Sequence, residues 1–229
     1  MEISQRLKTV AGFVKYKTIA DIGTDHGYIP CYLALNEKIT RAIACDINDG
    51  PLGKARENVK ANGLDEIIET RLGPGLLPLH KSEAETVIIA GMGGILICDI
   101  LFEGMDILGG VKQLIVQPQR DVYRVRKFLH KIGFMIEDEE MVYEAGKFYN
   151  IISAVRGSER YSDEISYIFG KRLMEKKSAV LYMYLNAEIE KYSSILNSTS
   201  VRPENSAGLE KIRVNMALSQ EVLKRYEAD

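Results

Sequence analysis

The sequence has no tryptophan, and only three histidines, three cysteines and six prolines among 229 residues. Cys31, Cys45 and Cys98 are widely spaced, odd in number and set in apolar surroundings, which argues against a disulfide framework and a cysteine metal motif. Buried thiols in a reducing cytosol are the expectation, and no metal is expected. No apolar run approaches the ~18 residues that cross a bilayer, and Met1-Glu2-Ile3-Ser4-Gln5-Arg6-Leu7 lacks the apolar core of a signal peptide. The chain is therefore expected in the cytoplasm, away from membranes. An excess of one charge is also missing: 30 Lys and Arg oppose 32 Asp and Glu, for a net charge of −2. The sum hides a segregation. Residues 112–131 carry six Lys/Arg against Asp121 alone, and residues 1–17 carry four (Arg6, Lys8, Lys15, Lys17) against Glu2. Local stripes of this kind are what a phosphate backbone senses.

What is present is a hydrophobic fraction of 46%, enough for a core. To about residue 157, β-rich runs alternate with helical stretches. Residues 18–23, 40–47, 67–72, 86–91 and 113–117 read as strands, and 28–35, 51–62 and 121–132 as helices. That cadence predicts parallel βαβ units with helices on both faces. Residues 134–143 and 147–155 then meet across Glu144-Ala145-Gly146, a hairpin signal. A dinucleotide fold would continue with parallel units instead. Composition changes near Gly157-Ser158, dividing the chain into 1–157 and 158–229. Beyond it, Ser162 before Asp163-Glu164 predicts the start of a helix reaching about Leu196. Asn197-Ser198-Thr199-Ser200 breaks it. Pro203 then opens a second helix, in which Leu209, Ile212, Met216, Ser219, Leu223 and Tyr226 recur as a heptad seam. An antiparallel helical hairpin is expected, or else two helices that cover the sheet.

The chemistry-bearing turns follow the strands. Asp21-Ile22-Gly23-Thr24-Asp25-His26-Gly27 lets the chain pivot into a helix, and its glycines let the backbone approach a ligand. It lacks the G-x-G-x-x-G that a pyrophosphate requires. Asp46, before Ile47, lies 23 residues after Gly23, where a carboxylate accepts ribose hydroxyls in folds of this kind. NAD and S-adenosylmethionine both carry a ribose, so Asp46 does not choose between them. Gly75 and Leu76 offer backbone groups after the third strand. Gly91-Met92-Gly93-Gly94 after the fourth suggests close approach of cofactor or substrate, unless Met92 is core filler.

Asp-Ile-Gly-Thr-Asp-His-Gly-Tyr-Ile-Pro from Asp21, Ala90-Gly91-Met92-Gly93-Gly94, Gln117-Pro118 and Gly146-Lys147-Phe148-Tyr149 occur in order. Together they resemble the bacterial tRNA (adenine(22)-N(1))-methyltransferase family, TrmK. The resemblance spans essentially the whole chain. It implies a class I Rossmann-like methyltransferase sheet, parallel strands ending in an antiparallel hairpin, with a C-terminal helical hairpin that helps hold tRNA. It implies S-adenosyl-L-methionine as cofactor, with Asp21, Gly23, Thr24, His26, Gly27, Asp46, Ile47, Gly75, Leu76, Gly91 and Met92 around it. Pro74 departs from the pattern, because many methyltransferases place an adenine-contacting Asp there. Adenine N1 owns an in-plane lone pair, so catalysis is mainly alignment. Asp25 and His26 are the candidates beside the reacting base, Asp25 to orient it or merely to brace the loop.

For the RNA, Arg120, Arg124, Lys127 and Lys131 fall at 4-3-4 spacing on one helix face, opposite Val122, Val125, Leu129 and Ile132. Arg6 lies in the second basic patch. Tyr28, Phe148 and Tyr149 are possible stacking platforms or simply packed aromatics. A basic helix exterior is equally compatible with a solvated surface. The competing functions are an NAD-dependent oxidoreductase on a related fold and a non-catalytic RNA-binding module. A monomer is expected.

Overall fold

The computed structural model describes residues 1–198 and 206–227. The chain divides into two compact units, Met1–Arg160 and Tyr161–Asp229. The first is built on a seven-stranded sheet: β1 (Thr18–Ile22), β2 (Arg41–Asp46), β3 (Ile68–Leu72), β4 (Thr86–Met92), β5 (Gln113–Pro118), β6 (Phe134–Glu144) and β7 (Lys147–Arg156). Their order across the sheet is β3-β2-β1-β4-β5-β7-β6. The first five are mutually parallel, and β7 runs antiparallel to both β5 and β6. β1, β2, β4 and β5 are nearly continuous apolar runs and almost wholly buried, as strands covered on both faces must be.

The covering helices are α1 (Gln5–Gly12), α2 (Tyr28–Leu35), α3 (Asp49–Ala61), α4 (Gly94–Glu103), the short α5 (Met105–Leu108) and α6 (Val122–Lys131). α1, α2 and α3 pack as one group and α4 with α6 as another. Right-handed crossovers that leave the sheet centre in opposite directions put these groups on opposite faces. The chain runs outward from β1 to β3 and returns to β4, so β1 and β4 flank the point where strand order reverses. Ligands of open α/β sheets bind outside the carboxyl ends of the strands at such a point.

The hairpin closes through two residues of positive φ, Ala145 (+49°) and Gly146 (+77°), the geometry of a type I′ turn. On α6 the structure corrects the predicted faces. Val125, Arg126 and Leu129 are buried, whereas Val122 and Ile132 are only half-buried. Arg126 points inward, its Nε donating to Glu139 Oε1 at 2.6 Å with both side chains no more than 1% exposed. It therefore leaves the basic surface of residues 112–131.

The second unit corrects the predicted long helix. Asp163, not Ser162, takes the capping role, accepting the Ser166 amide at 2.8 Å and its hydroxyl at 3.0 Å. A π-helical turn at Ser166–Gly170 leads into α7 (Lys171–Glu175). The helix then breaks: Lys177 adopts φ +48° and the Ser178 hydroxyl accepts the Leu181 amide at 3.3 Å, starting α8 (Ala179–Ser198) afresh. α9 (Ser206–Glu227) returns antiparallel to α8. Tyr182 meets Tyr226 at a ring separation of 6.0 Å, while Ser193 meets Met216 at 3.7 Å, so one helix climbs as the other descends. The seam buries Leu209 and Ser219, with Val222 rather than Leu223 completing it. Pro203, Thr199 and Ser200 lie outside the described residues.

Candidate active site

β1 turns at Gly23 (φ +72°), where the amides of Gly23 and Thr24 both donate to the Cys45 carbonyl at 2.9 Å. A Cβ on Gly23 would sit 2.1 Å from Met92 Cε, so the end of β4 closes directly over this turn. One residue before the strand end, Asp21 is 3% exposed and accepts the Thr24 hydroxyl at 2.6 Å. Burial pushes its carboxyl up to about 6; the Thr24 hydrogen bond pulls the other way, and the carboxylates of Asp46 and Asp25 raise it further. A buried acid in this condition is stabilised by an arriving cation.

Asp46 ends β2, buried, and uses Oδ1 to accept the Asn48 amide at 2.7 Å. Its carbonyl accepts the Gly73 amide at 2.9 Å, which ties the loop after β3 to the same rim. Gly75 (φ +51°) packs so closely on α4 that a Cβ would lie 3.3 Å from Ile100. These groups enclose a cavity of about 500 Å³, within the ~300–1,000 Å³ usual for small-molecule sites. Ile47, 63% exposed, forms an apolar wall.

Three elements meet at the mouth. Gln117 Oε1 accepts both the Gly91 amide at 3.1 Å and Arg6 Nη1 at 2.7 Å. The Arg6 guanidinium lies 5.4 Å from the centre of the Tyr149 ring. Asp25 stands on the rim with its side chain 80% exposed and Oδ1 3.5 Å from His26 Nε2. His26 adopts φ +63°; its carbonyl accepts Asn58 Nδ2 at 2.8 Å and its Nδ1 is 3.0 Å from the Tyr28 hydroxyl.

Of the residues predicted around the cofactor, Asp21, Gly23, Thr24, Asp46, Ile47, Gly75, Gly91 and Met92 line this cavity. His26, Gly27 and Leu76 lie behind its lining: Gly27 (φ +69°) presses on Ala55, and Leu76 is buried beneath Gly104. Asp25 and Arg6 are on the lining. Arg120 is not on the lining; its Nε is 3.2 Å from where a Cβ on Gly93 would be, one residue beyond the lining Met92. Arg124, Lys127 and Lys131 instead line a second groove between α4 and α6. Asn48, Glu103 and Gln119 also line the cavity and were not anticipated. Asn48 and Gln119 follow the carboxyl ends of parallel strands, a placement that could have marked them. Among the described residues, no group of three or more His, Cys, Asp or Glu is placed to hold a metal ion, and no helix is long and apolar enough to cross a membrane.

S-Adenosylmethionine fits the donor set: a buried carboxylate suits its ammonium, Asp46 its ribose, and apolar Ile47 with the glycine-lined loop its adenine. A central parallel sheet ending in an antiparallel hairpin, with these acids at the ends of its first two strands, is that of a class I S-adenosylmethionine-dependent methyltransferase. Residues 19–221 match the model of TrmK, tRNA (adenine(22)-N(1))-methyltransferase. The chain is 36% identical over 230 residues to the tRNA (adenine(22)-N(1))-methyltransferase of Bacillus subtilis (strain 168), covering 98% of this chain and 96% of that protein. A candidate tRNA (m1A22) methyltransferase of Streptococcus pneumoniae, solved with S-adenosyl-L-methionine, superimposes with a TM-score of 0.87 at 33% identity, covering 97% of this chain and 100% of that one. M. capricolum TrmK, solved with S-adenosyl-homocysteine, also gives 0.87, at 29% identity over 99% of this chain and 100% of that one. The chain belongs to the TrmK family of tRNA (adenine(22)-N(1))-methyltransferases, which sets aside the oxidoreductase and the non-catalytic module.

Proposed function

We propose that this protein transfers a methyl group from S-adenosylmethionine to N1 of adenine 22 in tRNA, acting in the cytoplasm as a monomer. The observation that carries this reading beyond family membership is the pair of buried carboxylates, Asp21 and Asp46, at adjacent strand ends beside the cavity. When bound, S-adenosylmethionine supplies an electrophilic methyl group. Asp21 holds the ammonium of the amino-acid part, braced by Thr24, beside the close backbone of Gly23. Asp46 accepts from the ribose hydroxyls. Ile47 and Gly75 flank the adenine, with Leu76 supporting that loop from behind, and Gly91 and Met92 border the methyl position. Gly27 closes the turn against α3, and His26 holds Asp25.

Adenine N1 already carries a lone pair, so the residues around it need to align the base more than to deprotonate it. Asp25 on the rim accepts from the adenine N6 amine in this reading and favours the positive charge that develops on the ring. N1 lies on the Watson–Crick edge, so the target must leave any pairing before it reacts. Arg6 and Tyr149 at the mouth, with Arg120, Arg124, Lys127 and Lys131 beyond, hold the tRNA. The test is incubation of the purified chain with unmodified tRNA and labelled cofactor, followed by mapping of the methyl group. A label on N1 of adenine 22 is expected; no transfer to any tRNA overturns the proposal.

A further inference from the structure

The groove between α4 and α6, about 400 Å³, shares a helix with the cofactor cavity but opens on a different face. Leu96 and Ile100 of α4 line the cavity, whereas Ile95, Asp99 and Phe102, at helical spacing, line the groove. Ile95 is 51% and Phe102 67% exposed. Large apolar side chains held this far into solvent beside one another mark a recognition surface rather than a core. Phe128 of α6 contributes to the floor.

The rim is cationic. Arg124, Lys127 and Lys131 line it with Asp99 as the one acid on the lining, and Arg124 Nε also lies 3.9 Å from Asp121 Oδ1. Lys127 Nζ donates to the Tyr123 hydroxyl at 2.6 Å and lies 4.6 Å from the centre of that ring, so it is anchored beside an aromatic face. An aromatic and apolar floor edged by cations is the pattern that binds single-stranded nucleic acid, with bases stacking while the rim tracks phosphates. A purely apolar partner would not use the cationic rim, and a purely acidic one would not use Phe102. Arg120 continues the cationic line from this rim to Gly93, the residue after the cavity-lining Met92. Both sites thus lie along one path over α4.

We infer that the α4–α6 groove takes an unpaired base of the tRNA substrate, stacked on Phe102, with its phosphates on Arg124 and Lys131. The inference rests on the tRNA-methyltransferase reading and adds a second nucleotide subsite to it. Anchoring a neighbouring base here would help to hold the strand open while the target adenine occupies the cavity.

The absence of tryptophan provides a clean probe. In the full chain, Phe102→Trp introduces a single indole at an exposed position. Its emission is expected to be quenched on titration with unmodified tRNA, unaffected by S-adenosylmethionine, and much less altered by a fully paired RNA duplex. Phe102→Ala is expected to raise the tRNA Kd by roughly 5- to 150-fold, the range for losing one stacked base, with S-adenosylmethionine affinity retained as the check on folding. If F102W emission ignores a tRNA that the unsubstituted chain binds and methylates, or if F102A binds that tRNA as tightly, the groove assignment alone is wrong. Emission that changes with protein concentration in the absence of RNA would assign the groove to a second copy and overturn it. If the unsubstituted chain methylates no tRNA, the functional reading falls and the groove assignment falls with it.

Discussion

Replacing Asp21 by Asn should make the free protein more stable and the enzyme worse. The carboxyl is held near 6 against an ordinary value of 3.8, mainly by burial. A shift of about two units corresponds to about 3 kcal/mol at 1.36 kcal/mol per unit. Because the folded-state value is raised, the folded state holds the proton more tightly than the unfolded chain does. The cost of ionisation is thus fully present above about pH 6 and disappears as pH falls from about 6 towards 4. An amide carries no charge to desolvate, but its NH2 is buried where a carboxylate offers only acceptors, which returns about 1 kcal/mol. The net gain at pH 7.5 is about 2 kcal/mol, or about 4–8 °C in Tm.

The same change removes the charge proposed to hold the cofactor's ammonium. A charge-assisted hydrogen bond contributes about 1.5–3 kcal/mol, so S-adenosylmethionine affinity should fall about 10- to 100-fold. Circular-dichroism melts between pH 4.5 and 8, with isothermal titration of the cofactor, test both halves. Unsubstituted protein should gain Tm on acidification through pH 6 while losing cofactor affinity, and D21N should be flatter in both. A D21N protein that melts lower at pH 7.5 and binds cofactor as tightly as before would refute the reasoning.

Asp46→Ala should weaken S-adenosylmethionine binding by about 10- to 100-fold in calorimetry, because a buried acceptor for the ribose is lost. Arg126→Ala removes one partner of the buried pair with Glu139 and should cost about 3–5 kcal/mol; the double change R126M/E139L should recover most of that in thermal melts. Charge reversal of Arg124 and Lys127 to Glu should weaken tRNA binding and flatten its dependence on salt, since fewer counterions are released; unchanged affinity across a salt series would remove α6 from the RNA surface.

The strands that carry the site are legible because burial on both faces forces continuous apolar runs, so β1, β2, β4 and β5 announce themselves. The turn from Asp21 to Gly27 and the acid at Asp46 are legible because each combines a strand end with a residue type the backbone alone does not require. α4 is harder to see. Its sequence GILICDILFE has almost no polar face, since one side meets the sheet and another lines two concave sites, so no amphipathic period survives. Arg126 misleads for a related reason. It occupies a core position of α6 with a charged side chain, and partners on neighbouring strands, Glu139 and Asn150, make that tolerable. The break before α8 is invisible in composition because Lys176-Lys177-Ser178 are ordinary exposed-helix residues. There a serine cap and one left-handed residue outweigh propensity.

The near-neutral net charge conceals local fields of opposite sign. In the proposed function a cationic cofactor meets Asp21 and Asp46 in the cavity, and the polyanionic substrate meets cations on α1 and α6. Fields of opposite sign at close quarters would cancel if the cations paired with the acids. Arg6 shows how the fold prevents this: it lines the same cavity as Asp21, yet its guanidinium is engaged by Gln117 Oε1 and the Tyr149 ring. Arg6 is not among the groups that act on the Asp21 carboxyl, which burial raises to about 6. In the proposed function this leaves the acid for the ammonium and the cation for the RNA. Gln117, buried and uncharged, engages that cation, and the same side-chain carbonyl accepts the Gly91 amide at the end of β4.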